Sequence, residues 1–204
     1  MKEDAAFEAF DREDWTEAER LYRERLERAA DAAEEEAAMH MLAFTLAMNG
    51  GFGESRKLYS ELLSRAEERH EPENVAIAMH QLGMIGRFEG DIDQARLWFN
   101  REKEYRMSRL PEDHAGFSAN SYEHGEMGLM AGEPEQALQA FRLALRQGKT
   151  AGDDICIACA WRGIGRASQM MHHDPAPAWQ LSMEAFRRAG DAKGEAEVRK
   201  LMGE

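Results

Sequence analysis

The side chains best suited to chemistry in this sequence are two cysteines that stand three residues apart. Cys156 and Cys159 form a C-x-x-C motif within the segment DICIACAW. A redox function would require this motif at the start of a helix inside a βαβ unit, and the sequence shows no βαβ pattern. Cysteines in an alanine-rich helical segment more often serve as small packing residues. We therefore expect both cysteines to be structural.

Histidines and carboxylates are the other candidates for metal binding or proton transfer. His40 and His80 occupy equivalent places in two similar segments, but two ligands do not make a structural zinc site. The HHD cluster at 172–174 falls in an expected loop, and Glu126 near His124 is more simply a polar position on a helix. The sequence contains no G-x-x-x-x-G-K-[ST], H-E-x-x-H or G-x-S-x-G motif. We therefore expect no enzyme activity, no metal and no cofactor.

The elements that would position these residues recur along the chain. Three segments begin with glycine, continue with an acidic residue and then a small residue, and carry an aromatic ring four residues later. A helix can end at such a glycine because glycine adopts the left-handed conformation without penalty. Successive first glycines are 40 and then 42 residues apart. The segments are GGFGESRKLYSELL (50–63), GDIDQARLWFNRE (90–102) and GEPEQALQAFRLAL (132–145).

The segments that precede these glycines also recur and share a small residue, which would let a second helix approach closely. The small residues are Ala43, Gly83, Gly125 and Gly163. Each repeat therefore predicts two helices joined by a tight turn, and no strand pattern appears. Two units depart from the pattern, because Glu13 replaces the first turn glycine and the fifth unit has no ring at the expected spacing. The predicted helices cover about 2–10, 14–31, 34–48, 52–69, 73–89, 92–109, 112–130, 134–149, 154–171, 175–188 and 192–202.

This pattern resembles the tetratricopeptide repeat over nearly the whole chain. The resemblance rests on the first-helix small residue, the turn glycine, the ring after it (Trp15, Phe52), the second-helix alanine and the later ring. The family period is about 34 residues, so the period of about 40 is similar to longer variants found in bacterial regulators. The resemblance implies an all-α, right-handed superhelical solenoid of about five antiparallel hairpins. We expect one domain over 1–204, with repeats at 1–32, 33–70, 71–110, 111–151 and 152–190 and a capping helix at 191–204.

The resemblance also implies that the first helix of each hairpin lines a concave face. The register of the repeat would place aromatic, methionine and a few charged residues there, which is typical of a groove for a peptide or a helix. Methionine and phenylalanine at helical spacing are equally typical of a core. The candidate partner-binding residues are His40, Phe44, His80, Met84, Arg87, Tyr122, Glu126 and Met130.

Charge and hydropathy limit the possible partners. The 39 acidic and 26 basic residues give a net charge of −13, which disfavours direct binding to nucleic acid. No apolar run is long enough to cross a membrane, and the acidic N-terminus lacks a signal core, so we expect a cytoplasmic protein. The expected function is a non-catalytic scaffold for a protein or peptide ligand. Two alternatives are a peptide-sensing module of a bacterial signalling or transcription-control protein, and a structural module that forms homodimers through an exposed Trp179 and Met170–Met171.

Overall fold

The computed structural model describes residues 4–204, which form eleven α-helices and no β-strand. Consecutive helices pack as antiparallel hairpins, so the all-α hairpin fold is confirmed. Residues 1–3, which include the start of the first predicted helix, lie outside the described residues. The helices are α1 (Ala5–Asp11), α2 (Trp15–Glu27), α3 (Ala32–Met48), α4 (Phe52–Glu68), α5 (Pro72–Glu89), α6 (Ile92–Arg109), α7 (His114–Met130), α8 (Pro134–Ala151), α9 (Asp154–Met170), α10 (Ala176–Ala189) and α11 (Ala192–Met202).

The helices repeat with the period that the sequence predicts. The first helices α3, α5, α7 and α9 begin at residues 32, 72, 114 and 154, which are 40, 42 and 40 residues apart. The α2 helix is shorter than predicted, since it ends at Glu27 and Asp31 already caps α3 by accepting a hydrogen bond from the Glu34 backbone N–H over 2.9 Å. Each repeat is therefore one helical hairpin of about 40 residues.

Local signals fix the helix ends. Gly50, Gly90 and Gly132 have φ angles of 82°, 83° and 72°, which is the left-handed conformation expected after a helix. Glu13, which stands where the first hairpin lacks a glycine, adopts the same conformation with φ of 61°. A non-glycine residue pays a steric cost there. The first hairpin thus keeps the geometry of the repeat at a cost in stability.

The chain divides into two compact units. Unit 1 ends at Glu102 and unit 2 begins at Lys103, so the boundary falls within α6. Unit 1 has buried apolar clusters between α1, α2 and α3 and between α3, α4 and α5. Unit 2 has clusters between α7, α8 and α9 and between α9, α10 and α11. The single domain over 1–204 stays a prediction.

The recurring small residues allow the close packing that the sequence indicates. In unit 1, a Cβ atom placed on Gly83 would lie 2.6 Å from the Phe99 ring. In unit 2, Cβ atoms placed on Gly125 and Gly163 would both lie 2.4 Å from the Phe141 ring, which is fully buried. One ring thus packs between two first helices, because neither helix has a side chain at the point of contact.

The fifth hairpin follows the repeat more closely than the sequence suggested. Ser182 on α10 donates a hydrogen bond to the Ala158 carbonyl oxygen over 2.8 Å, and Phe186 follows four residues later with 1% exposure. Ser55 makes the corresponding bond to the Ala43 carbonyl over 2.6 Å. The expectation of no ring at this spacing is wrong. The bonded residues are 24 positions apart here and 12 apart in the Ser55–Ala43 pair, so the pattern lies farther from the turn in the fifth hairpin.

Trp179 is buried, which corrects a second expectation. Its side chain packs with Phe186 and Val198 and keeps only 4% exposure. Trp179 stands three residues before Ser182, as Phe52 stands three before Ser55, so it is the ring that follows the turn. It cannot form part of an exposed dimer surface, although Met170 retains 44% exposure.

Candidate functional site

The predicted binding residues all lie on first helices and are divided between the two units. Most of them are half-buried, whereas Met130 is 51% exposed and Glu126 is buried. We call the sides of α3, α5 and α7 that carry them, together with the side of α9 that contacts Tyr122 and Glu126, the first-helix face. Each unit's part of this face is described by itself. Unit 1 holds His40 and Phe44 on α3 and His80, Met84 and Arg87 on α5, and unit 2 holds Tyr122, Glu126 and Met130 on α7.

His40 in unit 1 is tied to its own hairpin. The buried Tyr59 on α4 donates a hydrogen bond from its hydroxyl to the His40 carbonyl oxygen over 3.2 Å. The two rings meet edge to face with centroids 5.4 Å apart. Burial lowers the pKa of His40, so the imidazole is neutral at neutral pH. A neutral imidazole offers one donor and one acceptor rather than a charge.

His80 is held by a different partner. Its Nδ1 lies 3.0 Å from Oε2 of Glu102, whose side chain is fully buried, and its ring lies 5.4 Å from the Phe99 ring. His40 and His80 therefore contact different side chains. Within residues 4–204, no three His, Cys, Asp or Glu side chains come together as a group that could hold a metal ion.

The other predicted residues of unit 1 have mixed surroundings. Phe44 packs against the core and lies 5.6 Å from the Phe10 ring of α1. The Arg87 guanidinium lies 4.6 Å from the centre of the neighbouring Phe88 ring, and Met84 is half-buried. Phe44 thus contributes mainly to packing, while Arg87 places a cation on the first-helix face.

A cavity of about 230 Å³ opens between α3, α4 and α5 in unit 1. We call it the unit 1 cavity. Its walls are mainly apolar, and polar groups from each of the three helices line it as well. The lining residues are Glu36, Ala37, His40, Tyr59, Leu62, Ala66, Arg69, Asn74, Ile77 and Ala78.

Unit 2 carries polar contacts between neighbouring first helices. Arg162 on α9 donates a hydrogen bond to the Tyr122 hydroxyl on α7 over 3.3 Å and forms an ion pair with Glu197 on α11. Its guanidinium also lies 5.6 Å from the centre of the Phe186 ring. The Arg162 side chain is 19% exposed, so most of this arginine is enclosed by three helices.

A second arginine repeats the contact one turn further along α9. Arg166 forms an ion pair with Glu126 on α7, and the two atoms lie 2.6 Å apart. The Glu126 side chain is 10% exposed and that of Arg166 is 36% exposed. The first-helix face of unit 2 thus has a buried carboxylate beneath a guanidinium that solvent can reach.

The electrostatic surroundings keep these groups in fixed protonation states. Burial raises the pKa of the Tyr122 hydroxyl well above its usual range, so the group keeps its proton. Burial alone would lower the pKa of Arg162, but the neighbouring Tyr122 and Cys159 raise it above its usual range. Proton transfer near neutral pH requires a group whose pKa lies near 7. Tyr122 and Arg162 can therefore recognise a partner by hydrogen bonds, but they are not suited to acid or base catalysis.

The C-x-x-C motif lies in the first turns of α9. Both cysteines are free and half-buried. Burial raises the pKa of Cys156 to about 11 and also raises the pKa of Cys159. Reactive cysteines have lowered pKa values because the thiolate is the nucleophile. The environment of this motif is thus the opposite of the one that a redox site needs.

Comparison with known proteins identifies the repeat. A family model described as tetratricopeptide repeat matches residues 34–105, a little more than a third of the chain. Among curated proteins, none is significantly similar in sequence. Within residues 4–204, no helix combines the length and apolar character needed to span a membrane.

Solved structures extend the similarity to the rest of the chain. BtubC (BKLC) from P. vanneervenii superposes with a TM-score of 0.60 at 19% identity, covering 97% of this chain and 78% of that one. A putative kinesin light chain from Podosopora anserina, with nearly identical TPR-like repeats, gives 0.59 at 15% identity and covers 90% and 92%. A substituted variant of that kinesin light chain gives 0.60 at 18% identity and covers 94% and 93%. The described residues therefore have a TPR-like helical repeat fold.

Two arginines of this TPR-like protein were not among the predicted site residues. The register taken from the small residues of the first helices pairs Tyr122 with an alanine on α9 rather than with Arg162. The interval between the starts of α7 and α9 is 40 residues. Adding 40 to the positions of Tyr122 and Glu126 gives Arg162 and Arg166, whereas the predicted starts at 112 and 154 are 42 residues apart and miss both contacts.

Proposed function

We propose that this TPR-like protein is a non-catalytic scaffold that binds a protein or peptide segment on its first-helix face. TPR-like repeats generally serve as scaffolds for protein–protein interactions. The observation that carries the proposal is the pair of contacts Tyr122–Arg162 and Glu126–Arg166 between α7 and α9. Partly buried ion pairs contribute little to stability, because desolvation offsets the attraction between the charges. Tyrosine and arginine are also the residues that contribute most often to binding energy at interfaces.

The geometry favours recognition of a peptide through fixed polar groups. Arg166 keeps unused N–H donors toward solvent, since its side chain is 36% exposed and a guanidinium has five donors. Glu126 holds that guanidinium in place, so little side-chain entropy would be lost on binding. In unit 1, Arg87 and the neutral His40 supply the corresponding polar positions.

A selection from random peptides displayed on phage, with the full chain as the target, tests the proposal. The affinities of the selected peptides for the wild type and for Arg166→Ala would then be measured by isothermal titration calorimetry. Arg188→Ala is the matched control, because it removes an exposed ion pair with Asp154 from the second helix α10. Arg87→Ala tests unit 1 in the same way.

We expect Arg166→Ala to weaken binding about tenfold or more, which corresponds to about 1.4 kcal/mol. Arg188→Ala should leave the affinity unchanged, and circular dichroism should show that both variants stay helical. The proposal is wrong if no peptide is enriched, or if the selected peptides bind Arg87→Ala and Arg166→Ala as tightly as the wild type.

A further inference from the structure

The unit 1 cavity has the size and lining to hold one large side chain. Its volume is about 230 Å³, and an apolar cavity of about 150 Å³ is already sufficient for benzene. Leu62 and Ala66 of α4 and Ile77 and Ala78 of α5 supply most of its apolar wall. Ile77 is 42% exposed, so this wall extends to the surface. A phenylalanine-sized side chain could therefore enter from solvent.

His40 gives the cavity a polar edge. The imidazole lines the void, the ring of Tyr59 lies nearly perpendicular to it, and the Tyr59 hydroxyl donates a hydrogen bond to the His40 carbonyl oxygen. Within the described part of the chain, no residue hydrogen-bonds to the ring nitrogens of His40. A neutral imidazole can then offer one donor and one acceptor to the backbone of a bound peptide.

An ion network that reaches the unit 1 cavity through Glu36 and Arg69 carries excess negative charge, and we call this network the acidic rim. The network joins Arg65 of α4 and Arg69, which follows the end of α4, to four carboxylates from α3, α4 and the residue before α5. The distances of its pairs run from 2.5 to 3.5 Å. Two guanidinium groups cannot balance four carboxylates, so the rim attracts cations. The carboxylates are Glu35, Glu36, Glu61 and Glu71.

The equivalent place in unit 2 is closed, which shows that the cavity is not a general property of the repeat. Ala66 stands seven residues after the buried Tyr59, and Gly148 stands seven after the buried Phe141. A Cβ atom on Gly148 would lie only 3.0 Å from Cβ of Cys156, so α8 and α9 touch there. The opening between α4 and α5 is therefore a feature of unit 1 itself.

We propose that the unit 1 cavity binds an aromatic side chain of a peptide in which lysine or arginine flanks the aromatic residue. This inference rests on the proposed function and names the class of partner. The aromatic ring fills the apolar void, and the flanking cations lie against the acidic rim. The attraction between rim and peptide weakens as salt is added, because the rim charges are exposed to solvent.

Three capped tripeptides test the cavity on the full chain: Arg-Phe-Arg, Arg-Ala-Arg and Glu-Phe-Glu. Binding would be followed by NMR of the methyl groups of Leu62 and Ile77 and by calorimetry. Ala37→Leu adds bulk at an exposed position that lines the cavity. Ala33→Leu adds the same bulk one turn earlier on α3, at an exposed position outside the lining, and is the matched control.

We expect Arg-Phe-Arg to shift both methyl signals and to bind at least tenfold more tightly than either other peptide. Ala37→Leu should abolish the shifts, while Ala33→Leu should leave them unchanged. The proposal is overturned if Arg-Phe-Arg leaves the methyl signals unshifted, if Arg-Ala-Arg or Glu-Phe-Glu binds as tightly, or if Ala37→Leu has no effect. Peptides that depend on Arg166 but not on Ala37 would overturn the cavity proposal and leave the scaffold proposal standing.

Discussion

Replacing Gly163 with alanine tests whether Phe141 is packed without spare room between α7 and α9. The new Cβ would lie 2.4 Å from the ring, whereas ordinary contacts are 3.4–4 Å. The ring would have to move by about 1 Å to restore an ordinary contact. A Cβ atom placed on Gly125 would also lie 2.4 Å from the ring, so α7 as well as α9 lies close to the ring and limits its movement.

The size of the effect follows from two opposing contributions. Overpacking a core costs about 1–3 kcal/mol, and alanine gains up to about 1 kcal/mol over glycine inside a helix. We therefore expect Gly163→Ala to lower the free energy of unfolding by about 1–2 kcal/mol, which corresponds to a fall of about 2–8 °C in the melting temperature. Urea denaturation and thermal melts followed by circular dichroism measure both quantities.

Gly53→Ala is the matched control for this prediction. Gly53 also lies within a helix, α4, but a Cβ atom there would meet nothing within 4 Å. This change should stabilise the protein by about 0.5 kcal/mol. A third variant, Phe141→Leu, should lower the free energy of unfolding by about 1 kcal/mol less in the Gly163→Ala background than in the wild type, because the two positions are in contact. Equal stabilities of Gly163→Ala and Gly53→Ala would refute the tight packing of the ring.

Three further predictions concern local features. Glu13→Gly should raise the free energy of unfolding by about 0.5–1 kcal/mol in urea titrations, because Glu13 adopts the left-handed conformation. Glu8→Gly, inside α1, should lower the free energy of unfolding. Equal effects of the two changes would contradict a steric cost at Glu13. The thiols of Cys156 and Cys159 should react slowly with an alkylating reagent at neutral pH. The rate should increase about tenfold per pH unit up to the pKa of about 11 for Cys156. Rapid labelling near pH 7 would contradict the raised pKa values. Burial lowers the folded-state pKa of His40 below 6.5, so the imidazole of the unfolded chain is protonated first as the pH falls, and stability decreases below about pH 6.5. His40→Gln should therefore lose less stability than the wild type between about pH 7 and pH 5. Equal losses would exclude His40 as the cause of the pH dependence.

The helix ends could be predicted because their signals are local. A glycine such as Gly90 ends a helix through its own backbone freedom, and an aspartate such as Asp153 caps the next helix by accepting a hydrogen bond from the Cys156 backbone N–H over 2.9 Å. The end of α2 was misplaced because the alanines and glutamates of ERAADAAEEE favour helix, and the single cap residue Asp31 stands among them. Its break at Glu27 is marked by no glycine or proline in that segment.

The fifth hairpin and the two arginines were missed for a different reason. Both depend on the register between helices, which is set by where each helix starts and by how far from the turn its contacts lie. The pair Ser182 and Phe186 has the same four-residue spacing as Ser55 and Tyr59, but it lies farther from the turn of its hairpin. A fixed period therefore finds the hairpins, but contacts between them need the positions of the helix starts.

The unpartnered indole of Trp179 gives this protein a natural optical reporter. Its Nε1–H is buried and, within residues 4–204, no group accepts a hydrogen bond from it. An excited indole that water cannot reach emits at short wavelength, since no solvent dipoles reorient around it. Trp15, Trp98 and Trp161 are only half-buried. The blue edge of the emission spectrum therefore reports selectively on the packing of α9, α10 and α11.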